Sequence, residues 1–77
     1  MTLASKIQAL PWNKKLIALR LYAGLNQNDF AQSLGVHPDT YRGWERGRHY
    51  PGRLARRMLA RYHQVSELEI FGGNDGR

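Results

Sequence analysis

The sequence predicts an all-α domain: a compact bundle of four to five helices with an extra short helix at its N-terminus. Three observations carry that expectation. No stretch alternates polar and apolar residues with a period of two, the mark of a half-buried strand. Apolar residues recur instead at spacings of three and four. Glycine, proline and capping side chains punctuate the chain where helices would start and stop.

Thr2 to Leu10 reads as a short helix, with Thr2 as its cap, Leu3, Ile7 and Leu10 on one face, and Pro11 blocking continuation. Asn13 to Ala23 reads as the second helix, capped by Asn13, striped by Leu16, Leu19 and Ala23, and ended by Gly24. Asn26 caps a third, Gln27 to Leu34, with Asp29 placed for a capping box and for the positive end of the helix dipole. Gly35 stops that helix. Pro38 opens the next at a position where a missing N–H is harmless, and Gly47 closes it just after Glu45 or Arg46. His49 to Gly52 is a loop. Arg53 to Gln64 is strongly periodic, with Leu54, Met58 and Tyr62, flanked by Ala55 and Leu59, as the expected buried face. Ser66 and Glu69 form a capping box for a last turn through Leu68, Ile70 and Phe71. The expected organisation is a helical extension over 1–12, a domain over 13–71 and a flexible tail over 72–77.

Composition narrows the function. The chain has 77 residues, no cysteine, and 12 Lys plus Arg against 6 Asp plus Glu, a net charge of +6. The length allows one small core, with no room for a separate ligand-sensing domain. Disulfide scaffolds and thiolate metal sites are excluded. The apolar runs are too short to span a membrane, and Met1 to Pro11 lacks the basic start and long apolar stretch of a signal peptide. A cytoplasmic location is expected. The charge is concentrated: residues 42–61 carry seven arginines and one acid, Glu45, a net +6 that equals the whole excess. Arginine's planar fork matches phosphate oxygens. Clustering on this scale in so small a chain favours a polyanion partner over a merely solvated face.

Two short helices joined through Gly35 make a helix-turn-helix. Ala31 is small where the helices must approach closely, and Gly35 stands where the turn needs a left-handed backbone. Phe30 and Leu34 on the first helix face Val36, Tyr41 and Trp44 around the second. Residues 16–59, with the strings LIALRLYAGLNQNDFAQSLGV and HPDTYRGWERGRHYP, resemble the Cro and phage-repressor (xenobiotic-response-element) helix-turn-helix family. The segment Trp-Glu-Arg-Gly-x-x-x-Pro at 44–51 is especially specific to it.

The resemblance implies a lambda-repressor-like fold and operator binding as a two-fold dimer, with 38–45 as the recognition helix. It matches Gln27 to a glutamine that bonds a phosphate and braces that helix, and Arg20 and Glu45 to a buried structural ion pair. Its base-contacting positions fall on Pro38, Asp39, Arg42 and Gly43, with Thr40 on a phosphate. Pro38 and Gly43 cannot hydrogen-bond through a side chain, so Asp39 and Arg42 are the principal candidates, toward cytosine and guanine respectively. Asp39 has an equal claim as a helix-dipole residue. Arg46, Arg48, His49 and Tyr50 are expected along the phosphate backbone, with Arg53 adding a charge at a helix N-terminus. The resemblance also places the dimer contact at the C-terminal turn, where Leu68, Ile70 and Phe71 are more apolar than so short an element needs.

Other chemistries are poorly supported. Phe30, Tyr41 and Trp44 fall on core-facing positions, which weighs against single-strand stacking. His37, His49 and His63 lack ligand spacing, so no metal or other cofactor is expected. No arrangement suited to catalysis is present, so no enzyme is expected. The expected function is a transcriptional regulator, a dimeric autorepressor on a palindromic operator. The alternatives are an antitoxin-like module that binds a partner protein from its operon, or a nonspecific nucleic-acid binder.

Overall fold

The computed structural model describes residues 3–72, and these contain six helices and no strand: α1 (Ser5–Gln8), α2 (Trp12–Tyr22), α3 (Gln27–Leu34), α4 (Pro38–Glu45), α5 (Arg53–His63) and α6 (Glu67–Phe71). The expected tail lies outside the described residues from 73 onward, as does Thr2. With Thr2 outside them, the residue before α1 is Ala4, which makes no side-chain cap.

Four helices end on one device. Gly24, Gly35, Gly47 and Gln64 take left-handed backbone, with φ of 78°, 77°, 74° and 59°. The residue after each donates its N–H five residues back: Leu25 to Arg20, Val36 to Ala31, Arg48 to Gly43 and Val65 to Ala60. This is the Schellman stop, which satisfies carbonyls the helix leaves orphaned. The residue after the turn is usually apolar and packs back on its helix. Leu25, Val36 and Val65 follow that rule, with Val65 buried and the other two packed against the core. Arg48 breaks it and is exposed.

The core gathers Leu16 and Leu19 of α2, Phe30 and Ala31 of α3, Tyr41 and Trp44 of α4, Leu59 and Ala60 of α5, and Ile70 and Phe71 of α6. Phe30 sits at its centre, with ring edges from Tyr41 at 5.1 Å and Tyr62 at 4.8 Å, and His63 stacked at 5.3 Å. The N-terminal segment is fastened to α6. The Leu3 N–H donates to Glu69 Oε1 at 2.7 Å, and the Leu3 side chain is buried. Lys15 Nζ reaches the Glu69 carbonyl at 2.7 Å. Glu69 also completes the capping box with Ser66.

Several expectations need correction. Pro11, not Asn13, stands before α2; Asn13 instead donates from Nδ2 to the Glu45 carbonyl at 3.0 Å. Ala23 is exposed, and Leu10 is turned outward from the face shared by Leu3 and Ile7. The buried face of α5 is rotated from the expected one. Leu54 is 77% exposed and Tyr62 41%, while Leu59 and Ala60 are buried. The helix carries two apolar stripes of the same period, and small Ala60 allows the closer approach.

Candidate nucleic-acid interface

The helix-turn-helix is α3, the turn at Gly35, and α4. Asn26 caps α3, its Oδ1 accepting from the Asp29 N–H at 2.7 Å. His37 caps α4 in place of a hydroxyl residue, its Nδ1 accepting from the Asp39 N–H at 3.1 Å. Pro38 at the first helical position presets the backbone. Tyr41, Trp44 and Glu45 then point inward and are buried, which turns Asp39, Thr40 and Arg42 outward.

Glu45 anchors this orientation. Arg20 meets its carboxylate through Nε at 2.7 Å and Nη2 at 3.3 Å, and Gln27 Nε2 adds a third donor at 2.8 Å. Arg20 also binds the Leu25 carbonyl at 2.9 Å. The two side chains of the ion pair are 12% and 2% exposed. The Tyr41 hydroxyl is buried beside the same carboxylate, short of hydrogen-bond geometry but close enough for its dipole to act. Burial pushes the Glu45 carboxyl up, yet the contacts from Arg20, Tyr41 and Gln27 together outweigh it and hold the group below the ordinary carboxylate value. Burial also pushes the Tyr41 phenol up. Gln27 on α3 is thus bonded to the last residue of α4 through its amide nitrogen.

On the outer face, Asp39 and Arg42 form an ion pair across one helical turn. Arg42 Nη1 also reaches Asn28 Oδ1 on α3 at 3.0 Å. The hydrogen bond and charge of Arg42 hold the Asp39 carboxyl below its usual value. The two candidate readers thus orient each other, and Asn28 joins them. Sequence reasoning passed over Asn28; its place beside Gln27 in the first turn of α3 was the available signal.

Arg46 and Arg48 are exposed at the end of α4, and Arg53 is exposed at the start of α5. His49 lies over Gly43, which it covers. Tyr50 is a correction. Its ring packs edge-on against Trp12 at 5.1 Å and Phe71 at 5.7 Å, under the Arg56 guanidinium at 5.1 Å, and its hydroxyl is buried. It belongs to the packing, not to an exposed phosphate-binding edge. Arg56 donates to the Pro51 carbonyl at 2.8 Å, so its charge is used internally as well. Of the proposed dimer residues, Ile70 and Phe71 are buried within the monomer, and only Leu68 is exposed.

Among the described residues no cluster of histidine and acidic side chains could hold a metal ion, and no helix is long and apolar enough to cross a membrane. No curated protein and no solved structure matches the chain. A family model described as a helix-turn-helix domain matches residues 15–70, well over half the chain and running from within α2 into α6. The chain therefore belongs to the helix-turn-helix family of DNA-binding domains.

Proposed function

We propose that this protein is a sequence-specific transcriptional regulator of the Cro and phage-repressor type, a cytoplasmic autorepressor that binds a palindromic operator as a homodimer. One observation carries the reading. Glu45 fixes the inner face of α4 while Asp39 and Arg42 stand on its outer face, linked to Asn28 of α3. This arrangement supports a helix held ready for a major groove. In this reading Arg42 and Asp39 contact base edges. Thr40, Arg46, Arg48 and Arg53 contact phosphates, and Gln27 adds a phosphate contact from its remaining amide atoms. Pro38 contributes shape at the groove, and Gly43 leaves room there for the ring that covers it.

The test is selection of bound duplexes from a random library. The expected product is a palindrome whose half-sites lie about one helical turn apart. Enrichment of no sequence, with equal affinity for random duplex and RNA, would leave a nonspecific nucleic-acid binder instead.

The exposed Leu54 on α5 and the exposed Leu21 and Tyr22 on α2 support a second reading: an antitoxin-like module with a protein partner from its own operon. A tight complex that survives removal of the Arg42 and Arg48 side chains would favour it.

A further inference from the structure

Gly43 is an anomaly within α4. A glycine in a helix interior weakens the helix, and this one has no positive φ to require it. It lies four residues after Asp39 and three after Thr40, on the outward side of the helix. A Cβ at position 43 would fall 2.4 Å from His49 Nε2 and 2.5 Å from Cε1. The imidazole therefore fills the place in which the side chain of residue 43 would begin. The left-handed turn at Gly47, with the Arg48 N–H on the Gly43 carbonyl at 2.9 Å, folds the chain back so that His49 lands there. Its ring remains exposed to solvent.

We propose that His49 is a specificity-determining residue: its imidazole, lodged over Gly43, reads a purine edge in the groove in place of a residue-43 side chain. The proposal rests on the DNA-binding reading above and moves His49 from the phosphate backbone to the bases. A neutral imidazole carries one N–H donor and one acceptor. Purines present an N7 acceptor in the major groove, and pyrimidines do not. Gly43 and His49 then act as one unit, with the glycine making room and the histidine supplying the polar atom beside Asp39 and Arg42.

The test is duplex selection followed by salt titration with the wild type, His49→Ala, Gly43→Ala and the double variant. His49→Ala is expected to keep the operator except at one base pair per half-site, where purine preference falls about fivefold, the worth of one neutral hydrogen bond. Its salt dependence should not change. Gly43→Ala, whose methyl expels the ring, should relax the same base pair, and the double variant should relax it no further. A His49→Ala protein that binds every sequence more weakly, with a shallower salt slope, would return His49 to the phosphates. An unchanged preference would remove it from the interface. Either outcome overturns this proposal while the DNA-binding reading stands, whereas a wild type that enriches no sequence overturns both.

Discussion

Replacing Glu45 with alanine tests the account of how α4 is held. The Glu45 side chain is 2% exposed, and its Arg20 partner 12%. The substitution leaves two Arg20 donors facing a site closed to water, with only the Leu25 carbonyl still accepting. Stranding one half of a buried pair costs about 3–5 kcal/mol. The Gln27 amide loses its partner too, adding about 1 kcal/mol. A domain of this size has only about 4–12 kcal/mol in all, so the variant should sit near the limit of folding. Each kcal/mol lowers the melting temperature of such a domain by about 4–8 °C. Urea and thermal unfolding followed by far-ultraviolet circular dichroism read the loss directly. The Asn13 bond goes to the Glu45 backbone carbonyl and survives the change, so the loss reports the carboxylate. Arg20→Ala and the double variant close the cycle. The double variant should recover part of the Glu45→Ala loss, because no charge is then left stranded. A Glu45→Ala loss below about 1 kcal/mol, the worth of a surface ion pair, would refute the reasoning.

Three further outcomes are expected. Burial lowers His63 to about 4 from its ordinary 6.5. The unfolded chain then takes a proton between those values that the folded ring refuses, and stability falls as pH drops from the upper value toward the lower. Urea midpoints should show a loss on the order of 1–2 kcal/mol between about pH 7 and about pH 5, a slope that His63→Phe should abolish. On α5, Leu54→Ser should cost less than about 0.5 kcal/mol, whereas Leu59→Ala should cost about 2–5 kcal/mol; equal losses would restore the rejected helix face. In DNA binding, Arg48→Ala should weaken all duplexes alike and reduce the salt slope by about 0.9; an unchanged slope would assign Arg48 to solvent.

The helix-turn-helix was legible because its signals are local. Asn26, Gly35, Pro38 and Gly47 each act on the backbone within a turn of themselves, and the boundaries of α3 and α4 follow from them. The Arg20–Glu45 pair was legible only through resemblance, since the partners stand on different helices. What escaped depends on packing between distant segments. Periodicity could not choose between the two stripes of α5, because the choice lies with the other helices packed on it; Phe30 itself touches Tyr62 of the expected stripe and His63 beside it. Asn13 is a good cap by type, yet a carbonyl on α4 claims its side chain. Ile70 and Phe71 looked surplus in so short an element, but α2 and the Trp12–Tyr50 cluster absorb them. The His49–Gly43 contact depends on a loop folding back over a helix, which spacing does not reveal.

The division of α4 into two faces bears on how such a protein diverges. Tyr41, Trp44 and Glu45 are buried and secure the fold, whereas Asp39 and Thr40 are exposed. If the proposed reading of bases holds, a duplicated copy can therefore exchange Asp39 or Thr40 with little loss of stability. Positions 43 and 49 are the exception. A larger residue at 43 displaces the imidazole, so the effect of a change at either site depends on the residue at the other.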